Sequence, residues 1–239
     1  MAEKKKKFTM VNYYDRITKE DNDLYNYPNE QLLQITIPFR GIVQGPSGSG
    51  KTNVMMNLIS GIGIWDKVVI LAKNLDEPLY KYAIKAIQSM EVKQKRRILL
   101  AIDKVSDLPP IGAFNPQENT LLIVDDFVAD DPKSLKPLNE IWLRGRKNSI
   151  SPIFISQSYF DTPKIIRKNS DYVFIKKLGN PMDLTRIAKE YALGVTVPEI
   201  QAKYNKALAG GEFTDFFMID RNNKDPKLVF RHNFDPIDD

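Results

Sequence analysis

The residues of this chain best suited to chemistry are Gly45, Pro46, Ser47, Gly48, Ser49, Gly50, Lys51 and Thr52, which satisfy the pattern G-x-x-x-x-G-K-[ST] in full. An apolar run at 39–44 leads into them and an amphipathic helical pattern at 51–60 leads out. That order is what binding a polyphosphate needs. Glycines let the backbone curl with its N–H groups turned inward. The helix that follows presents its partly positive N-terminus to the anion. Lys51 then reaches the β- and γ-phosphates, and the Thr52 hydroxyl is placed to hold Mg²⁺. The plainer alternative is a Gly/Ser-rich turn ahead of an ordinary helix.

Such a site needs a further metal-holding carboxylate on a nearby strand. The run Leu121, Leu122, Ile123, Val124 ends in Asp125 and Asp126. Four apolar residues bury a strand and leave the acidic pair at its carboxyl end, where open α/β sheets bind ligands. Asp125 would hold Mg²⁺, directly or through water, and Asp126 would orient or deprotonate an attacking water. Another apolar run, 153–157, ends in Gln157, which on the same sheet edge would sense the γ-phosphate or the water. Taken alone, Gln157 marks only a strand end. Arg144 and Arg146 close a helical pattern just before that run. A guanidinium there either stabilises the charge of a transferring phosphoryl group or complements the helix C-terminus. Asp130 and Asp131 are read as helix-capping residues.

The elements that must position these groups are legible in outline. Apolar runs at 39–44, 67–72, 121–125, 153–157 and 172–175 predict strands buried on both faces, and 98–102 is a further candidate. Helical patterns fill 51–60, 78–90, 135–147 and 183–191, the second with Leu79, Tyr82, Ala83, Ala86, Ile87 and Met90 on its apolar face. Alternating strands and helices predict a three-layer α/β fold with a mainly parallel central sheet. Two runs at 213–219 and 227–230, separated by a turn from Asn222 to Pro226, predict an antiparallel hairpin on the sheet edge. Residues 1–34 read as a polar tail and arm, and residues 35–239 as one domain.

Composition narrows the chemistry further. The 239 residues include no cysteine and one histidine, His232. Disulfide frameworks, thiolate zinc sites, cysteine nucleophiles and histidine-rich metal sites are excluded. The absence of cysteine fits a reducing compartment. No apolar run approaches the roughly 18 residues of a membrane helix, and the Lys4–Lys7 cluster has no apolar stretch behind it, so neither a membrane segment nor a secretory signal is expected. Net charge is +5, but the span 141–180 alone holds eight basic and two acidic residues: Arg144, Arg146, Lys147, Lys164, Arg167, Lys168, Lys176 and Lys177 against Asp161 and Asp171. That span is either a solvated basic face or a surface for an anionic partner. Lys93, Lys95, Arg96 and Arg97 form a second basic cluster.

From about Phe39 to Lys177 the chain resembles the viral genome-packaging ATPases of the FtsK–HerA superfamily, the poxvirus-type motors also found in large DNA viruses and virophages. The resemblance is carried by the phosphate loop Gln44–Thr52, the strand Leu121–Asp126 and, most specifically, the stretch from Leu143 to Asn169. It implies a RecA-like P-loop NTPase core, ATP and Mg²⁺ as ligands, and hydrolysis of ATP. It also implies a ring of five or six identical subunits, double-stranded DNA as the translocated partner, and capsid or portal-vertex proteins as the docking site. A virus-encoded protein acting at the assembly site in the host cytoplasm, with virion association, goes with it. By position Gln157 matches the family's sensor glutamine, and Arg144, Arg146 or Arg167 falls where a finger acting on a neighbouring subunit is expected. The second acidic position of the strand is often Glu in the wider superfamily. Here it is Asp126, whose shorter reach weakens its case as the base.

Two other functions use the same motifs. A small-molecule kinase would need an Arg-rich lid, for which 93–97 is a candidate, and an acceptor pocket, which the sequence does not display. A nucleotide-gated assembly factor would hydrolyse slowly and move nothing. Stimulation of hydrolysis by duplex DNA separates the motor from both.

Overall fold

The structure is a computed structural model, and it describes residues 26–127, 131–191 and 194–237. The tail residues 1–25, with Lys4–Lys7, and Asp130 lie outside the described residues.

Among the described residues nine strands form one sheet in the order β3-β2-β4-β5-β1-β6-β7-β8-β9. They are β1 (Gly41–Gln44), β2 (Lys67–Ala72), β3 (Leu99–Ile102), β4 (Thr120–Asp125), β5 (Ile150–Ser156), β6 (Tyr172–Ile175), β7 (Phe217–Asp220), β8 (Phe230–His232) and β9 (Asp235–Pro236). β1 to β6 run parallel, and β7 to β9 add antiparallel strands at one edge. The α/β architecture, the candidate strand at 98–102 and the C-terminal antiparallel edge are all present as expected. Strand alternation sends neighbouring side chains to opposite faces. Leu122 and Val124 therefore join one core, and Leu121 and Ile123 the other.

Helices cover both faces. The first core takes α4 (Lys136–Arg144), α5 (Lys164–Asn169), α6 (Pro181–Glu190) and α7 (Val197–Ala207), through residues such as Trp142, Ile166, Ile187 and Tyr204. The second takes α2 (Lys51–Ile62) and α3 (Pro78–Gln94), through Val54, Met55, Leu58, Tyr80 and Ile87. Both layers follow from right-handed crossovers between parallel strands. Among the described residues no helix is long and apolar enough to cross a membrane.

Several expected details differ. From Tyr27 the segment read as an arm packs on the domain. Its short helix α1 (Glu30–Leu33) buries Leu33, and Asn29 donates to the Gly61 carbonyl at 2.8 Å. On α3 the buried face is Tyr80, Ala83 and Ile87, while Tyr82 and Met90 are exposed. Tyr80 turns inward because its hydroxyl finds a carboxylate below, which rotates the face away from the one that apolarity alone predicts. The helical pattern at 135–147 splits into α4 and a 3₁₀ turn, Gly145–Asn148. Asp131 organises the turn before α4 by accepting from the Lys133 amide, and the residue flanking the helix is Leu135. The run at 213–219 enters the sheet only at Phe217, and 227–230 is mostly a 3₁₀ turn, Pro226–Leu228. Pro226 lacks the N–H that strand pairing needs. The helix α7 was signalled by a capping box, Thr196 with Glu199, that pattern-reading of apolar residues passes over.

Candidate nucleotide site

β1 and α2 are joined by the loop 45–50 at the carboxyl edge of the sheet. Gly45 is buried, and a β-carbon added there would lie 2.6 Å from both the Lys176 β-carbon and Ser49 Oγ. A side chain at this position would have to displace the loop. Gly50 caps α2 with φ near 90°, in the left-handed region, and no side chain caps the helix. The first amides of α2 are thus left for an incoming anion. Ser49 Oγ is buried with no partner among the described residues, an orphan that a phosphate oxygen would satisfy. Lys51 Nζ donates to the Pro46 carbonyl at 2.9 Å, folded back over its own loop. Burial lowers the Lys51 pKa, and Asp125, Glu77 and Asp126 pull it the other way.

A cavity of about 460 Å³ opens over this loop. Lys51, Thr52, Asp125, Asp126 and Gln157 all line it. Parallel pairing accounts for the convergence. Gln44 aligns with Ser156 on β5, and Asp125 aligns with Ile155, so the three strand ends share one edge. Gly45 N donates to Ser156 O at 3.3 Å, and Gln44 Nε2 to Gln157 O at 3.0 Å, which ties the loop to the end of β5.

Asp125 accepts a 2.6 Å hydrogen bond from Tyr80 on Oδ2. Its pKa is pushed up to about 6, chiefly by burial, with Tyr80 and Lys51 opposing that rise. A cation beside it would favour the ionised form in the same way. Asp126 is exposed and sits at φ 66°, a turn that lifts it clear of the strand. The oxygen donors Thr52 and Asp125 beside a polyphosphate fit Mg²⁺, which keeps waters and takes one or two carboxylates. They do not amount to an all-protein metal cage, and among the described residues no cluster of three metal-binding side chains exists.

Arg144 and Arg146 are not in this cavity. They precede β5, whose seven residues separate them from the loop by about 20 Å along the strands. Arg144 is exposed with a 3.5 Å pair to Glu140, and Arg146 lines a shallow hollow with Arg40 and Asp171 at the opposite sheet edge. Neither serves its own chain's phosphate site. Arg167 is engaged internally: it pairs with Glu190 at 2.6 Å, donates to the Thr162 carbonyl and lies over the rings of Tyr159 and Phe160. Lys176 is buried, donating to the carbonyls of Phe213 and Asp215, and burial lowers its pKa. Of the eight basic residues at 141–180, these two serve the fold, while Arg144, Arg146, Lys147, Lys164, Lys168 and Lys177 are exposed. In the cluster at 93–97, Arg96 pairs with Asp66 at 2.7 Å.

The cavity also holds residues that motif reading passed over. Glu77 and Asn74 follow the carboxyl end of β2, and Phe213 comes from the segment before β7. Glu77 was within reach of the rule that picked out Asp125, a polar residue past the end of a buried strand. Tyr80 and Phe213 carried no such signal.

A profile of the Poxvirus A32 protein family matches residues 25–195. A search of curated protein sequences finds no significant match. Among solved structures, the genome packaging NTPase B204 of Sulfolobus turreted icosahedral virus 2, in complex with sulfate, is 13% identical with a TM-score of 0.56, covering 83% of this chain and 96% of that one. The same NTPase in complex with ATP-gammaS gives 14% and 0.53, covering 83% and 98%. B204 of Sulfolobus turreted icosahedral virus, described as its DNA-packaging ATPase, gives 14% and 0.55, covering 82% and 97%. The fold is therefore shared with these proteins, in line with the motifs. With more than half its length matched by the profile, the chain belongs to the Poxvirus A32 protein family, as its resemblance to viral genome-packaging ATPases of the FtsK–HerA type led one to expect.

Proposed function

We propose that this chain is an ATP-hydrolysing motor that drives double-stranded DNA into a viral capsid, working as a ring of identical subunits. The observation that carries the reading is the meeting of Lys51, Thr52, Asp125, Asp126 and Gln157 around one cavity over the phosphate loop. Support also comes from the family and from the B204 structures, one of which holds ATP-gammaS.

The loop amides and the α2 N-terminus would hold the phosphates, with Lys51 swinging from the Pro46 carbonyl to the β- and γ-phosphates. Thr52 and Asp125 would hold Mg²⁺, which when bound neutralises charge on the phosphate oxygens. Tyr80 fixes the Asp125 carboxylate through Oδ2. Asp126, exposed in the cavity, would orient the attacking water and take its proton, and Gln157 lines the same cavity. The exposed Lys147, Lys164, Lys168 and Lys177 are the candidates for the DNA backbone, whose contacts need no sequence specificity.

Hydrolysis by the purified chain is expected to rise several-fold with duplex DNA at low salt. DNA affinity should fall with salt at about −0.9 in log–log slope per phosphate neutralised. A steady-state rate indifferent to DNA would overturn the motor reading and favour a kinase or an assembly factor.

The distance of Arg144 and Arg146 from their own phosphate loop leaves action on a neighbouring subunit as their catalytic role. Alanine at the one of the two, Arg144 or Arg146, that serves as the finger should remove most hydrolysis. Mixing that variant with a Lys51-lacking subunit should recover part of it, since one interface then has both groups. Failure of both arginine variants to be rescued would remove the pair from the mechanism.

A further inference from the structure

The cavity has an aromatic wall that the phosphate chemistry does not use. The segment between α7 and β7 returns along the carboxyl edge of the sheet, because antiparallel β7 begins opposite Ile175 at the end of β6. Phe213 lies in that segment and is 62% exposed, whereas Phe154, Phe174 and Phe217 are fully buried. Its backbone is not loose. Lys176, the first residue after β6, donates from its amide to the Gln44 carbonyl at 2.8 Å and from Nζ to the Phe213 carbonyl at 2.7 Å. The Asp215 carbonyl accepts from the same Nζ. The Phe213 ring and carbonyl close on Gly50, where an added β-carbon would meet each at 3.0 Å.

Sheet order gives the cavity a direction. Asp125, Asp126 and Gln157 come from β4 and β5, on one side of β1, and Phe213 comes from the β7 side. A nucleoside triphosphate with its terminal phosphate at the carboxylates and its chain over the loop carries its base toward Phe213. We propose that Phe213 is the base-stacking residue of this site, its ring receiving the flat face of a purine while Lys176 holds the segment against the phosphate loop. The proposal rests on reading the cavity as a nucleoside triphosphate site. An exposed aromatic ring gains by covering its face, and ring–base stacking reads a π-surface rather than hydrogen-bonding edges.

The test is equilibrium binding of ATP and of inorganic tripolyphosphate, each with Mg²⁺, to the full-length protein and to Phe213→Ala and Phe213→Trp. Phe213→Ala should bind ATP about 5- to 140-fold more weakly, the range that stacking provides, with tripolyphosphate affinity unchanged. Phe213→Trp should keep ATP affinity and show an indole emission change with ATP that tripolyphosphate does not produce. Trp65 and Trp142, 7% and 0% exposed, are shielded from the ligand and set the background. ATP affinity of Phe213→Ala within about twofold of wild type would overturn the proposal. So would equal weakening toward both ligands, which would make the ring a support for the loop. Wild-type protein that binds neither ligand would instead refute the triphosphate site itself.

Discussion

Lys51→Ala is expected to abolish ATP hydrolysis, lowering the turnover rate by at least about a hundredfold, the scale on which removing one preorganised charged or hydrogen-bonding group from a transition state acts. The electrostatics of the cavity make the loss larger than that of a single hydrogen bond. Asp125, Glu77 and Asp126 are the charges that act on Lys51, and its ammonium offsets them. Without it, a triphosphate would face Glu77, Asp125 and Asp126 with Lys73 as the cationic side chain left among the residues lining the cavity, together with the loop amides and the α2 N-terminus. Nucleotide affinity should fall together with turnover. Lys51→Arg is not expected to rescue, because a planar guanidinium does not replace a compact ammonium at the loop. The chain should still fold, since the Lys51 Nζ bond to the Pro46 carbonyl is local and solvent-accessible. Steady-state phosphate release, with circular dichroism as the folding control, checks this, and wild-type turnover in the alanine variant would show that the phosphate site is misassigned.

Arg231→Leu is expected to destabilise the fold by about 3–5 kcal/mol, the cost of removing one partner from a buried ion pair. For a chain of this size that is a fall in melting temperature of about 6–20 °C. Arg231 is 0% exposed, and its Nη2 lies 3.0 Å from Asp220 Oδ2, itself on a buried residue. Its Nη1 also donates to the Leu33 carbonyl at 2.9 Å. One side chain thus joins β8, β7 and the segment before β1, and its loss leaves Asp220 buried without its countercharge. Burial already raises the Asp220 pKa, so the orphaned carboxyl would take up a proton rather than stay charged. A partner change, Arg231→Leu with Asp220→Leu, should recover much of the stability, because an apolar pair of similar volume avoids the desolvation cost. Urea or thermal unfolding of the two variants checks both statements. A loss below about 1 kcal/mol in the single variant would show that the pair is not the buried brace described here.

The chemistry of the site was legible from residue types because phosphate binding demands a particular local backbone. Gly45, Gly50, Lys51 and Thr52 sit within eight residues, and a strand on one side with a helix on the other is enough to orient them. Asp125 was legible for a related reason, since four buried apolar residues before it place a carboxylate at a strand end. Tyr80 was not, because a tyrosine on a helix reads as surface or core until the carboxylate it serves is brought beneath it. Lys176 and Phe213 were hidden more deeply. One read as part of a basic surface and the other as the start of a strand, while the hydrogen bond that joins them spans 37 positions. The arm at 26–34 read as polar, yet Tyr27 and Leu33 are buried in the core on the α2 and α3 side, and Arg231, nearly two hundred residues away, donates to the Leu33 carbonyl.

By itself, then, the sequence determined the α/β alternation, the phosphate loop and the acidic strand end. Each depends on periodicity or on neighbours a few positions apart, and the physics of helices, strands and tight glycine turns is local. Tertiary structure decided which strand ends met. The register of β1, β4 and β5 put Gln157 and Asp125 over the loop and sent Arg144 and Arg146 to the far edge, away from the loop at 45–52. It also decided which basic residues face solvent and which brace the fold, as Arg167 and Lys176 do. Those outcomes depend on pairing between residues distant along the chain, where burial and hydrogen bonding select partners that no local pattern encodes.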